Sequence, residues 1–155
     1  MNRIAIFPGS FDPITKGHES IIQRSLPLFD KIIIGIGVNS SKQGFFSIEK
    51  RKEWIEKVFV GEKKIEIKTY QGLTIDFCKK EQATFILRGL RTAADFEFER
   101  MIAQMNRAMN EEIETLFLIS TPELSAINST IIRDIIRSGG DAGKFVPDRI
   151  SKELK

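Results

Sequence analysis

Five short strand-like runs alternate with segments of helical spacing along the whole chain, and this alternation constrains the fold more than any other feature of the sequence. The runs predict strands at 3–7, 31–38, 64–69, 84–87 and 114–119. Helices are predicted at 18–29, 47–59, 74–81 and 93–110, from 128 or 129 to a stop at Gly139-Gly140, and briefly after Pro147. Pro27 could end or bend the first helix early. Strands that alternate with helices indicate an α/β fold, here a doubly wound, five-stranded parallel sheet that forms a single domain over 1–155.

The segments that leave the predicted strands are where a ligand is expected. In open α/β sheets, ligands bind beyond the carboxyl ends of the strands. In this chain those segments are 8–18, 39–47, 70–74, 88–92 and 120–130, and they hold most of the unusual residues. The search for a site therefore begins with them.

Segment 9–18 is a turn between a strand and a helix, is rich in Gly and Pro, and ends in His18, the one histidine of the chain. The first amides of a helix are unpaired, so such a turn is suited to hold an anion. His18 begins the apolar stripe of its helix, which should aim its ring at the edge of the sheet, where it can donate a hydrogen bond to a phosphate oxygen. The ordinary alternative is a satisfied histidine at the core boundary. Asp12 and Pro13 are expected to shape the turn.

Three further segments carry groups suited to phosphate. Lys42 follows the second strand, and a flexible ammonium there can reach a phosphate, although a solvated loop lysine is the commoner outcome. Arg88 and Arg91 leave the fourth strand and suit bidentate phosphate recognition, with pairing to Asp95 or Glu99 as the competing interpretation. Residues 128–133 open the fifth helix and offer a second helix start that could bind an anion, or simply an ordinary cap.

Composition excludes several classes of protein. A net charge of +3, from 24 basic and 21 acidic residues, is too balanced for a nucleic-acid binder. The single cysteine, Cys78, excludes an intramolecular disulfide, and its amphipathic setting predicts a partly packed thiol without a metal or nucleophile role. The apolar run 32–38 is too short to span a bilayer, and no signal-peptide pattern opens the chain, so a cytoplasmic protein without a membrane partner is expected.

The block Gly9-Ser10-Phe11-Asp12-Pro13 with Thr15-Lys16-Gly17-His18 resembles the signature of the nucleotidylyltransferase superfamily. The stretch 86–99, which begins Ile-Leu-Arg-Gly-Leu-Arg, further resembles the bacterial phosphopantetheine adenylyltransferase family, and the likeness runs from residue 3 to about 150. It implies adenylyl transfer from ATP to 4′-phosphopantetheine, with Mg²⁺, giving dephospho-coenzyme A and pyrophosphate. It also implies a homohexamer.

The resemblance implies a role in the reaction for four residues. His18 would stabilise the transition state at the α-phosphate, Lys42 would bind the reacting phosphates, and Arg88 would bind the acceptor phosphate. Ser10 would meet both substrates. The implied ATP contacts are Ser10, Phe11, His18, Gly89, Leu90, Arg91, Glu99, Leu124, Ser125, Ala126, Ile127, Asn128, Ser129 and Thr130. The implied phosphopantetheine contacts are Ser10, Lys42, Thr74 and Arg88.

No protein nucleophile is evident, and a substrate phosphate is already ionised at neutral pH, so direct attack without a covalent enzyme intermediate is expected. The chain departs from the family pattern at Leu124, usually aromatic, at Ala126, usually bulky, and at Phe98, commonly Tyr. The side-chain part of the contact at 124–126 is therefore open. Two alternatives remain: an adenylyltransferase for nicotinate or nicotinamide mononucleotide, and a nucleotide-binding module without turnover.

Overall fold

Five parallel strands form one sheet in the order β3-β2-β1-β4-β5 in a computed structural model that describes residues 2–155. The strands are β1 (Ile4–Gly9), β2 (Lys31–Gly37), β3 (Ile65–Tyr70), β4 (Phe85–Leu90) and β5 (Glu114–Ile119). The helices are α1 (Lys16–Ser25), α2 (Ile48–Val58), α3 (Thr74–Lys80), α4 (Ala93–Met109) and α5 (Ser129–Arg137). The predicted doubly wound α/β fold is confirmed.

β1 lies at the centre of the sheet, and the order of the strands reverses beside it. It pairs with β2 through Ile4–Lys31 and the residues that follow, and with β4 through Ala5–Phe85. The chain winds outward from β1 to β3, then crosses to the other side of β1 to form β4. A crevice opens at such a switch point, so the carboxyl ends of β1 and β4 define the expected position of a site.

The two faces of the sheet are covered unequally. On one face Ala5 and Phe7 contribute to a large core with α1, α2, α5 and the C-terminal segment. On the other face Ile6 packs in a smaller cluster with α3, in which Cys78 is fully buried. The expectation of a partly packed thiol is therefore wrong, and burial raises the pKa of Cys78 to about 12.

Strands β1 and β4 run two or three residues further than their apolar runs predict. Pro8 and Gly9 continue β1, and Arg88, Gly89 and Leu90 continue β4. Pro, Gly and Arg are weak or unremarkable strand residues, and the ladder with neighbouring strands overrides their preference. The consequence is that Arg88 projects from a strand and not from the loop after it.

Helix α1 ends earlier than its apolar stripe suggests. It stops at Ser25 and gives way to a short 3₁₀ turn, Leu26–Leu28, that contains Pro27. Proline cannot supply the amide that a continuing helix needs. Phe29 is still buried, but outside the helix. The short helix expected after Pro147 is also a 3₁₀ segment, Asp148–Leu154.

Helix α4 carries the apolar stripe that its spacing predicts, but that stripe is exposed. Phe98, Met101, Ile102, Met105 and Met109 keep between 40% and 66% of their surface in this single chain. No residue of α4 is fully buried, and several are half-buried. Within residues 2–155 no helix is long and apolar enough to cross a membrane.

Candidate active site

A cleft of about 520 Å³ opens at the switch point between β1 and β4. Its walls are the end of β1, the turn into α1, the end of β4, the first half of α4 and the start of α5. Eleven of the residues predicted for the site line it: Ser10, Phe11, His18, Arg88, Gly89, Arg91, Glu99, Ile127, Asn128, Ser129 and Thr130.

The remaining predicted residues lie elsewhere. Lys42 is exposed on the loop between β2 and α2, at the same edge of the sheet but outside the lining of the cleft. Leu90, Leu124, Ser125 and Ala126 do not line it either. Segment 122–124 is a 3₁₀ turn that leaves the cleft after Ser120, and the chain returns to the cleft at Ile127. Leu124, which resemblance predicted as an ATP contact, is therefore not part of the cleft wall in this structure.

Thr74 lines a second cleft of about 250 Å³ that adjoins the first. Pro8, Gly9, Arg88 and Glu99 belong to both clefts. In the second cleft the Tyr70 hydroxyl lies 2.9 Å from the Thr74 hydroxyl. The arrangement offers two connected spaces with one arginine at their junction.

The ring of His18 is fixed by the cap of α1. Thr15 is the N-cap, its hydroxyl accepts from the His18 amide at 3.2 Å, and its own amide donates to Nδ1 of His18 at 3.0 Å. This is a capping box in which histidine takes the place usually held by Glu or Gln. Because Nδ1 accepts a hydrogen bond, the proton of the neutral ring is on Nε2. His18 is thus a donor at Nε2.

The surroundings of His18 keep its ring neutral. Phe11 and Phe7 contact it edge-on, at centroid distances of 5.0 and 6.2 Å. Burial, followed by the positive charges of Arg88 and Arg91, lowers its pKa from 6.5 to about 3. One side of the ring still lines the cleft. A neutral donor of this kind suits hydrogen bonding to an oxyanion and does not suit proton exchange with the substrate near pH 7.

Phe11 holds the turn in a conformation that bulky residues rarely adopt. Its φ is +48°, in the left-handed region, and its ring is 1% exposed. Such backbone strain persists only where surrounding contacts enforce it. Here the buried ring packs on Phe7 and His18, so core packing fixes the path of the turn that carries Ser10.

Glu99 orients Arg88. Both of its carboxylate oxygens accept from Arg88, at 2.9 Å from Nε and 2.6 Å from Nη2, and Nη1 donates to the Pro8 carbonyl at 2.6 Å. A guanidinium has five N–H donors. Within residues 2–155 three of them are used, and two remain for a ligand. The geometry favours the orienting role for Glu99 over a direct contact with nucleotide.

Helix α5 begins against the turn of segment 9–18, so the starts of α1 and α5 lie at the same cleft. Asn128 caps α5 by accepting from the Ile131 amide at 2.9 Å. The Ser129 hydroxyl donates to the Pro13 carbonyl at 2.8 Å, which uses its proton for structure. From the other side, Arg91 reaches the Ile127 carbonyl at 3.4 Å. The start of α5 can therefore offer a ligand its amides.

Two residues at this edge have roles that were not predicted from the sequence. Thr15 fixes the His18 tautomer, and the spacing Thr-x-x-His at a helix start was the signal. Arg51 is buried in α2, three residues after Ile48 and four before Ile55. A charged residue on an apolar stripe is the pattern that marks it.

The protein groups of the clefts do not form a metal site by themselves. No cluster of three or more His, Cys, Asp or Glu side chains occurs within residues 2–155. The carboxylates in the cleft, Asp95 and Glu99, face Arg91 and Arg88. A Mg²⁺ ion here would fit as one carried mainly by substrate phosphates and water, which is a common mode for this ion.

The fold and the cleft are those of a nucleotidyltransferase. Residues 6–135 match the model of the cytidylyltransferase-like family. In structure the chain is similar to a bifunctional NMN adenylyltransferase/ADP ribose pyrophosphatase from Francisella tularensis, with a TM-score of 0.72 and 20% identity, covering 94% of this chain and 45% of that one.

Sequence relatives narrow the class. The chain is 56% identical over 148 residues to the phosphopantetheine adenylyltransferase of Flavobacterium johnsoniae, covering 96% of this chain and 97% of the relative. It is 43% identical over 153 residues to that of Clostridium perfringens, covering 99% and 93%. The chain belongs to the phosphopantetheine adenylyltransferase family.

Proposed function

We propose that this enzyme transfers the adenylyl group of ATP to 4′-phosphopantetheine, with dephospho-coenzyme A and pyrophosphate as products, as a cytoplasmic step of coenzyme A synthesis. The observation that carries the proposal is the junction of the two clefts at Arg88. One cleft contains two helix N-termini, which are suited to bind the phosphates of a nucleoside triphosphate. The adjoining cleft has room for an acceptor whose phosphate would meet Arg88.

The reaction is a direct displacement at the α-phosphate of ATP. An oxygen of the acceptor phosphate forms a bond to the α-phosphorus, and the bond from that phosphorus to the β-bridging oxygen breaks. The electron pair leaves with pyrophosphate. The acceptor oxygen is already ionised near pH 7, so the protein supplies position and charge stabilisation.

His18 is the donor at the reacting phosphate. Its Nε2 proton would bond to a non-bridging oxygen of the α-phosphate, where negative charge grows in the transition state. The capping box holds the donor in place before substrate arrives, so little reorganisation is required. Ser10 is exposed at the same turn and lines the cleft, which supports a contact with phosphate from either substrate.

Lys42 would act from the neighbouring loop. Its ammonium lies outside the cleft wall, and the loop that carries it is exposed. A lysine side chain is long and flexible. We expect the bound phosphates to draw it to the cleft mouth, where it would neutralise charge that passes to pyrophosphate.

Adenine recognition would rest on Arg91 and the chain from Ile127 to Thr130, which line the first cleft. Mg²⁺ would bind with ATP and neutralise its phosphates. The exposed stripe of α4 would be covered by other copies of the chain in the homohexamer, since a contiguous apolar face of this kind marks an interaction surface.

An acceptor comparison tests the proposal. Pyrophosphate release from ATP and Mg²⁺ is followed with 4′-phosphopantetheine, nicotinamide mononucleotide, nicotinate mononucleotide or no acceptor. Release only with phosphopantetheine is expected. His18→Ala should lower kcat on the order of 10²–10³-fold while ATP still binds. Release with a mononucleotide alone would contradict the proposal, and ATP binding without release from any acceptor would indicate a binding module.

A further inference from the structure

Asp12 and Arg51 form a buried charged pair beside the cleft, outside its lining. Asp12 is 6% exposed and Arg51 5%. Burial of two charges is expensive and gives little net stability compared with apolar residues of similar size. A role for the pair other than net stability must therefore lie in the hydrogen bonds that the two side chains make.

The Asp12 carboxylate holds the end of the Lys42 loop. Oδ2 accepts from the Phe45 amide at 2.7 Å, and Oδ1 accepts from the Phe46 amide at 2.9 Å. The other end of the loop is fixed where the Val38 amide donates to the Tyr70 carbonyl at 2.8 Å. Lys42 thus lies on an exposed span between two fixed points, one of which is Asp12.

Arg51 ties the same point to the phosphate turn. Its Nε donates to the Phe46 carbonyl at 3.0 Å, and its Nη1 donates to the Ser10 carbonyl at 2.9 Å. Its Nε is 3.9 Å from Oδ1 of Asp12. One side chain therefore contacts the backbone of both segments that bear proposed reactive groups.

Two further contacts complete the unit. Arg133 of α5 donates to the Asp12 carbonyl at 2.8 Å. At Gly44 a Cβ would lie 2.5 Å from Nη2 of Arg51 and 3.1 Å from Oδ2 of Asp12. The loop passes so close to the pair that only glycine fits without displacement.

We propose that Asp12 and Arg51 are positioning residues that set the reach of Lys42 toward the phosphates bound at the turn of segment 9–18. The inference rests on the proposed role of Lys42. The pair does not touch substrate. It fixes the distance between two segments, and a change of that distance by about 1 Å can lower a rate 10²-fold.

A double-mutant cycle with Lys42 separates positioning from plain stability. Asp12→Asn is made in the native chain and in Lys42→Met, and kcat is measured for both. Asp12→Asn should lower kcat 10-fold or more in the native chain, and less than 2-fold once Lys42 is gone, because coupled residues are not additive. Equal losses in both backgrounds, or no loss in the native chain, would overturn the inference.

Further variants keep the test valid if Asp12→Asn folds poorly. Gly44→Ala leaves both charges in place, and its loss of kcat should likewise depend on the presence of Lys42. Arg51→Met should lower kcat, and Arg51→Lys should retain part of what Arg51→Met loses. Hydrogen exchange should report faster exchange of the Phe45 and Phe46 amides in Asp12→Asn, and unchanged exchange there would contradict the inference. Glu153→Gln is the control, because Glu153 accepts hydrogen bonds from Lys50, Lys57 and Trp54 on α2 and makes none with Asp12 or Arg51.

The two proposals fail in different ways. If Lys42→Met retains native kcat, the role of Lys42 in the proposed function is wrong, and the inference falls with it. If Lys42→Met loses activity and Asp12→Asn loses the same factor in both backgrounds, only the inference is wrong.

Discussion

The protonation state of His18 makes a quantitative prediction about stability. Its pKa falls from 6.5 to about 3 on folding. As pH drops below 6.5 the unfolded chain takes up a proton that the folded chain refuses, so the unfolded state gains stability. The contribution of His18 to the free energy of unfolding is therefore fully present above pH 6.5 and is lost as pH falls from there toward 3.

The magnitude follows from the two pKa values. Between pH 7 and pH 5, linkage gives a loss of about 2 kcal/mol in the free energy of unfolding for a fully enclosed ring. Solvent reaches this ring through the cleft, which reduces the expected loss to about 1 kcal/mol. Urea unfolding at the two pH values measures it.

His18→Gln is the matched variant for this measurement. Gln at the third helical position can keep the bond to the Thr15 amide, so the capping box survives while the titration is removed. The native chain should lose about 1 kcal/mol more than this variant between pH 7 and pH 5. Parallel losses in the two proteins would refute the reasoning.

Nuclear magnetic resonance gives an independent check, because the chain has a single histidine and its ring signals need no assignment. In a tag-free sample the ring should stay mainly neutral, in the Nε2–H form, from pH 8 to pH 6, with the midpoint of its titration well below 6.5. A titration with a midpoint near 6.5, or a ring protonated on Nδ1, would refute the reasoning.

Three further predictions concern other parts of the molecule. Glu99→Gln should release Arg88 and raise KM for the phosphorylated acceptor about 10-fold, because a charge-assisted pair is lost. Glu99→Asp should raise KM less, and an unchanged KM in steady-state kinetics would contradict the orienting role of Glu99. If copies of the chain associate through α4, as proposed, Met105→Glu should lower the mass measured by analytical ultracentrifugation while circular dichroism remains native, because Met105 is 66% exposed in the single chain. An unchanged mass would exclude this face as a contact between copies. Cys78, whose pKa is raised to about 12, should react with a thiol reagent only after unfolding, and rapid labelling of the native protein would contradict its burial.

The fold was predictable because its strongest determinant is local. Most strands are apolar runs, and most helices have an apolar stripe and a recognisable start, such as Ser47 before α2, whose side chain accepts from the Lys50 amide. The alternation of strands and helices along the chain, with right-handed crossovers, then leaves few possible sheet topologies. The ends of β1 and β4 were not predictable, because pairing with neighbouring strands and not local preference extends them through Pro8 and Arg88.

The site was predictable where its residues share one edge of the sheet, as His18, Arg88 and the start of α5 do. It was less predictable where long-range contacts decide. The stripe of α4 indicates burial, yet a single chain leaves Met105 exposed. The Arg51 contacts join α2 to Ser10 across 41 positions of sequence, and no local pattern specifies that partner.

The central claim is direct transfer of the adenylyl group from ATP to phosphopantetheine, and the fate of the α-phosphate tests it most directly. The enzyme is incubated with ATP labelled with ³²P at the α-phosphate, Mg²⁺ and 4′-phosphopantetheine, and products and protein are separated. All transferred label should be in dephospho-coenzyme A and none on the protein, even in a quench within one turnover. Label on the protein, or in any product other than dephospho-coenzyme A, would contradict direct transfer.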